Sequence, residues 1–91
     1  MPYKIRRQQL KKAKNLGVEI KPSTRKGKKL DVLRSDGEKV SIGAVGYKDY
    51  YEYLDEDEDL AEERRRLYRI RHGCPDKRKG TAGFYACKLL W

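Results

Sequence analysis

The amino-acid sequence predicts an α+β fold: a small three-stranded antiparallel meander packed by one long polarised helix and a short C-terminal apolar segment, with a basic N-terminal arm. Three observations predict it. Asp36-Gly37 lies between two stretches of alternating character, a strong short-range hairpin signal. Apolar or aromatic pairs recur seven residues apart at Tyr53/Leu54, Leu60/Ala61 and Leu67/Tyr68, which lays one stripe along a helix. Charge is divided by segment. Residues 1–29 hold eleven Lys/Arg against the single acid Glu19, residues 52–63 carry eight acids and no base, and residues 64–71 hold five arginines and no acid.

A chain of 91 residues makes one small domain, too small for a deep enclosed catalytic cavity. Apolar residues make up 37% and charged residues 41%, so seven tyrosines, Phe84 and Trp91 must supply much of the buriable surface. The net charge of +9 implies a polyanionic partner, either phosphate or acidic protein surface. No apolar run reaches membrane-spanning length, so no membrane partner is expected. Lys4, Arg6 and Arg7 are not followed by the apolar stretch of a signal peptide, and the chain reads as intracellular when made. In that setting Cys74 and Cys87 are expected as buried free thiols.

Residues 1–17 form the arm. Ile5, Leu10, Ala13 and Leu16 give it a thin apolar set suited to a helix formed on docking, and Gly17 stops it. The domain proper spans residues 18–91. Val18 and Ile20 mark the first strand, and the Asp36-Gly37 hairpin supplies the other two. Gly43 and Gly46 supply turns before the helix. Asp55 or Asp57 caps that helix, acids crowd the positive end of its dipole, arginines crowd the negative end, and Gly73 followed by Pro75 ends it. Residues 81–91 are apolar nearly all round apart from Lys88, as expected of a short helix or strand in the core.

Candidate contacts with a partner or with phosphate are Lys4, Arg6, Arg7, Lys11, Lys12 and Lys14 in the arm, and Arg25, Lys26, Lys28 and Lys29 in the loop before the second strand. In the helix, Glu62 and Glu63 are placed to pair with Arg66, which leaves Arg65, Arg69 and Arg71 freer, the first two as partner contacts. No catalytic residue is expected, because no nucleophile sits in a recognisable motif near His72, which reads as a helix-end cap. No cofactor or metal is expected either. His72, Cys74 and Cys87 lack the paired spacing of a zinc site, and the acid run lacks the glycine and acid spacing of a calcium loop. The segment at residues 43–46 matches neither phosphate-loop pattern and reads as a tight turn.

Three short motifs carry a resemblance: IGAVGYKDYYEY, ERRRLYRIRHG and GTAGFYACKLLW. In order and spacing they resemble the short uncharacterised proteins of large double-stranded DNA viruses and some phages, which look like a β-meander, a charged helix ending R-x-x-Y-x-x-RH, and an AG…LLW close. The matching positions are Gly43, Gly46, Tyr47, Asp49, Arg65, Tyr68, Arg71, His72, Ala82, Gly83, Leu89, Leu90 and Trp91. The acid run here is longer than the linker of those proteins. The resemblance implies a viral setting, in the virion or inside the host during assembly. Physically, these positions read as determinants of the fold. The glycines Gly43, Gly46 and Gly83 supply turns, Tyr47, Tyr50 and Tyr68 stack over the sheet, Arg71 and His72 bond buried carbonyls, and Leu89, Leu90 and Trp91 close the core.

Two functions follow as expectations. The first is a non-enzymatic minor capsid or cement component, its arm ordering along other virion proteins or along copies of itself. The second is a sequence-independent nucleic-acid-binding protein on the viral genome, favoured by the surplus of +10 over residues 1–29 and opposed by the acid run.

Overall fold

In the computed structural model, which describes residues 3–91, the hairpin forms where Asp36-Gly37 places it. Strand β2 (Lys28–Leu33) and strand β3 (Lys39–Ala44) pair antiparallel, with Leu30 opposite Ile42 and Val32 opposite Val40. Gly37 takes φ 89° at the turn, where Arg34 N–H donates to the Glu38 carbonyl at 2.9 Å. Strand β1 (Glu19–Pro22) pairs with the other edge of β2, Ile20 opposite Val32, giving the meander order β1-β2-β3. Side chains alternate faces along a strand, so Ile20, Leu30, Val32, Val40 and Ile42 share one side. Leu30, Val32 and Ile42 are almost wholly buried in a core completed by Ala13, Tyr51, Ala61, Tyr85 and Leu89.

Helix α1 (Arg7–Leu16) docks against β1 and, at its other side, against helix α4 (Ala82–Leu89), so these residues are a packed part of the fold. The apolar set expected in the arm is only partly the buried one. Ala13 is buried, but Leu10 is 51% exposed, and the fully buried partner of Ala13 is Gln9, four residues earlier on the same helix face. Residues 1 and 2 of the expected arm lie outside the described residues. Gly17 ends α1 in the left-handed conformation, as its type suggests.

The long polarised helix is preceded by a separate short one. Helix α2 (Tyr50–Leu54) is capped by Asp49, whose carboxylate accepts from Glu52 N–H at 3.0 Å. Helix α3 (Glu58–His72) is capped by Asp57, which accepts from Asp59 and Leu60 N–H at 2.9 and 3.3 Å. A short aspartate side chain competes for backbone donors, so Asp57 restarts the helix and Tyr53 and Leu54 fall on α2. Beyond the break the polarised helix runs as expected, through arginines in its last turn to Gly73 at φ 58° and a 3-10 turn over Cys74–Asp76. Residues 81–91 become α4, capped by Thr81, followed by buried Leu90 and Trp91.

Cys74 and Cys87 are a disulfide, with Cα atoms 5.7 Å apart, and not free thiols. The bond ties the turn after α3 to α4. Tyr47 does not stack over the sheet, since it is 78% exposed, whereas Tyr50 is buried. Gly46 does lie in a turn, at φ 100°. Gly83 lies in the first turn of α4, where a Cβ would meet only the Lys77 side chain at 3.2 Å.

Gly43 is the glycine that geometry demands. It lies inside β3 at φ 79°, and a Cβ there would come within 2.9 Å of Leu90 Cδ1 and 3.1 Å of Lys29 Cβ. Gly37 shares the positive φ but has open space around it. Gly43→Ala is therefore expected to lose about 2–3 kcal/mol from strain plus crowding, and Gly37→Ala only about 1–2 kcal/mol from strain. Urea denaturation of the two variants checks this; equal losses would mean that Leu90 moves aside freely.

Candidate functional site

Two of the expected phosphate contacts are engaged inside the protein. Lys29 is 5% exposed, and its ammonium donates to the Asp49 carboxylate at 3.2 Å, to Glu52 and to the Tyr47 carbonyl. An ammonium out of water requires such partners, so Lys29 is a structural cation. Arg6 pairs with Asp55 at 2.6 Å and donates to the Lys4 carbonyl at 2.7 Å. The network continues from Asp49 to the Tyr3 hydroxyl at 2.6 Å, from there to Gln9 Nε2 at 3.0 Å, and from Gln9 to the Leu89 carbonyl at 3.0 Å. Burial first, then the Asp49 carboxylate, push the Tyr3 hydroxyl far above its ordinary pKa, so it stays a donor.

A second buried carboxylate, Asp31, lies on β2 and is wholly inaccessible. Its Oδ1 accepts from the Ser23 and Ser41 hydroxyls at 2.6 and 2.7 Å, and Thr24 N–H approaches Oδ2 at 3.4 Å. Burial alone would raise its pKa. The hydrogen bonds from Ser23, Ser41 and Thr24, with the charge of Lys39, outweigh that and hold it below the ordinary carboxylate value. Both hydroxyls donate to this carboxylate, Ser23 from just beyond β1 and Ser41 from β3.

A groove of about 560 Å³ lies open between the end of β3, α2, α3 and the residues after α4. Its aromatic lining is Tyr47, Tyr53, Tyr68, His72 and Trp91. Three of these rings form a stack: Trp91 on Tyr68 at 4.3 Å between centroids and 10° between planes, and Tyr68 on His72 at 4.1 Å and 25°. Trp91 and Tyr68 are sheltered, while His72 is exposed at the end of the stack and Tyr47 stands free at the rim. The cationic lining is Lys28, Lys48, Arg64 and Arg71 beside the already paired Lys29. Lys48 pairs with Glu56, and the Arg64 guanidinium lies 5.8 Å over the Tyr53 ring. Among the described residues, Lys28, Arg64 and Arg71 form no ion pair.

The other expected contacts do not line this groove. Lys4, Arg7, Lys11, Lys14, Arg25 and Lys26 are exposed, and Lys12 is half-buried with its ammonium 5.3 Å over the Tyr51 ring. Arg65 is not the free arginine expected: it pairs with Glu62 at 2.8 Å and lies 4.3 Å over the Tyr50 ring, whose hydroxyl also donates to Glu62. Glu62 thus pairs three residues along the helix instead of four, drawn by Tyr50. The bond expected from Arg71 or His72 to a buried carbonyl is made instead by Arg69, which donates to the Trp91 carbonyl at 3.1 Å. Arg64, Lys48 and Tyr53 were missed. For Arg64 a signal exists, because Arg64, Tyr68, Arg71 and His72 follow helical spacing and so share one face of α3.

The fold and groove define a small α+β protein with a cationic, aromatic-lined cleft and internally satisfied carboxylates. The chain belongs to the Family of unknown function (DUF5754), whose model matches residues 18–72, from β1 to the end of α3. No curated protein and no solved structure matches the chain. The matched residues supply the Lys28, Arg64, Tyr68 and Arg71 wall of the groove, and Leu90 and Trp91 close it from outside the match.

Asp31 generates a prediction about acid stability. Its folded pKa lies below its unfolded one, so as pH falls the unfolded chain takes up this proton first. The stability contributed is complete above about pH 4 and is lost as pH drops through the folded value. Asp31→Asn is expected to cost about 1–3 kcal/mol at neutral pH by leaving the serine hydroxyls poorly matched. It should also flatten the stability curve below about pH 4 relative to the unsubstituted chain. Urea unfolding at a series of pH values tests both; an unchanged acid slope would assign the acid limb to other carboxylates.

Proposed function

We propose that this protein is a non-enzymatic, sequence-independent binder of nucleic acid that takes an unpaired strand in the Tyr68–Trp91 groove. The observation that carries the reading is the combination of a three-ring stack ending in exposed His72, the free ring of Tyr47, and unpaired Lys28, Arg64 and Arg71 along one groove. Aromatic planes beside unpaired cations suit bases and backbone phosphates together, and neither feature distinguishes one base from another. A duplex has its bases stacked internally and offers the rings little.

The acid run, which counts against a nucleic-acid face, is partly neutralised: Asp55 pairs with Arg6, Glu56 with Lys48, Glu62 with Arg65, and Glu52 with Lys29. The non-enzymatic part of the reading is supported by the engagement of Ser23, Ser41, Asp31 and Asp49 with one another or with the backbone. In the viral setting that the motif resemblance implies, the strand would be genomic. A role in bridging virion proteins has less support, because it relied on a loose arm and residues 7–16 are packed as α1.

Fluorescence anisotropy of labelled single-stranded and duplex oligonucleotides across a salt series tests the proposal. Tighter binding of the single strand is expected, with His72→Ala and Tyr47→Ala each weakening it about 5–50-fold, in line with the worth of one stacked base. Arg71→Ala should weaken binding and make it less salt-dependent by about one counterion. Equal binding of duplex and single strand, unmoved by these substitutions, would overturn the groove. No binding at low salt would overturn the function and leave particle association as the property to measure.

A further inference from the structure

On the far side of α3 from the groove, α1, α3 and α4 meet around a recess of about 280 Å³ lined by Lys12, Asn15, Leu16, Arg69 and Lys88. Each helix contributes one cation, and no carboxylate lines the recess. Among the described residues none of the three cations takes part in an ion pair. The nearby acid on α3, Glu62, is taken by Arg65 and Tyr50.

Lys29 and Arg6 each hold a carboxylate, whereas half-buried Lys12 has only the Tyr51 ring beneath it. Burial first, then the charges of Arg65, Arg69 and Lys88, push the Lys12 ammonium below its ordinary pKa. Three like charges gathered without an acid repel one another and destabilise the fold. An anion seated among them would reverse the sign of that interaction.

We infer that the recess between α1, α3 and α4 is a binding site for a phosphate group, held by Lys12, Arg69 and Lys88 with the Asn15 amide as an additional donor. Phosphate suits it better than a carboxylate, because its several oxygens can face donors on three helices at once, and a free phosphate, unlike a singly charged backbone diester, also brings a second negative charge. The Arg69 guanidinium already donates to the Trp91 carbonyl through Nη2, and its remaining N–H groups are available to an oxygen. Leu16 leaves one side of the recess apolar, so a compact anion fits better than an extended, fully hydrated one. The phosphate is either a free one or a backbone phosphate of a bound strand. The inference is independent of the groove, with which the recess shares no lining residue.

The test is a thermal and calorimetric titration of the full chain with pyrophosphate, at ionic strength held constant with chloride, alongside Lys88→Gln, Lys12→Gln and, as an exposed control on α1, Lys14→Gln. The unsubstituted chain is expected to bind one pyrophosphate and to melt higher in its presence. Lys12→Gln and Lys88→Gln should bind about 10-fold more weakly or less, the loss of one charge-assisted contact, while Lys14→Gln should bind as the parent does. Without pyrophosphate, Lys88→Gln should melt no lower than the parent, because it relieves repulsion at an exposed position. This keeps a failure to fold distinct from a loss of site. A second arm adds a saturating oligonucleotide: displacement of pyrophosphate assigns the recess to backbone phosphate, and undisturbed binding assigns it to a free anion. Binding that is absent, or that weakens equally in all three variants, would overturn the inference.

Discussion

The buried ammonium of Lys29 is the constraint on which the rest depends. A lysine at 5% exposure is tolerable only when each of its three protons meets an acceptor, and here Asp49, Glu52 and the Tyr47 carbonyl provide three. Meeting that requirement fixes the chain entering α2 against β2. Asp49 serves three neighbours at once: it caps α2, holds Lys29, and accepts the Tyr3 hydroxyl. Through Tyr3 and Gln9 the same network reaches the Leu89 carbonyl at the end of α4. One polar line therefore runs from the sheet through α1 to α4, in a protein whose apolar share is low for its size. Every group along it that is named here is satisfied, the condition under which a buried network specifies a unique arrangement.

The same line accounts for the disposition of charge. Carboxylates at 49, 52, 55 and 56 are drawn to Lys29, Arg6 and Lys48, which leaves the basic end of α3 without the acids that precede it in sequence. Helical polarity then acts in the usual sense, with acids at the start and arginines at the end. The cationic faces therefore follow from separation of charge along α3: Glu58, Asp59 and Glu63 at its start and near its middle are, among the described residues, as free of ion pairs as Arg64 and Arg71 further on.

Much of this was legible. The hairpin at Asp36-Gly37, the meander, the polarity of α3 and its stop at Gly73 follow from local turn, strand and capping chemistry, which a sequence displays directly. What was not legible depends on partners distant in sequence. Lys29 looks like any other lysine of a basic loop until Asp49, twenty residues on, is placed beside it. Gln9 has no apolar signature, so the inward face of α1 was assigned through Leu10, which faces water. The disulfide joins residues thirteen apart across a turn, and two cysteines alone do not say whether they meet. Asp57, one of the two caps the sequence offers, does start α3; what the stripe at spacing seven hides is that Tyr53 and Leu54 belong to a separate short helix before it. The groove was half visible: Tyr68, Arg71, His72 and Trp91 were singled out as structural, and Arg64 shares their face.

Trp91 joins the two cationic surfaces. Helix α3 turns about 100° per residue, so Arg64, Tyr68 and Arg71 project to one side while Arg65 and Arg69 project to the other. The Trp91 ring lies on Tyr68 on the groove side, and its carbonyl accepts from Arg69 beside the recess. Anything that shifts Trp91 must disturb both sides of α3 together. Its position rests in turn on α4, which is held by the disulfide at Cys87, by Gln9 at the Leu89 carbonyl, and by the close seat of Leu90 against Gly43. The glycine in β3, itself on the groove lining, and the glutamine in α1, which lines neither surface, thereby help to hold Trp91 between the arginines on the two sides of α3.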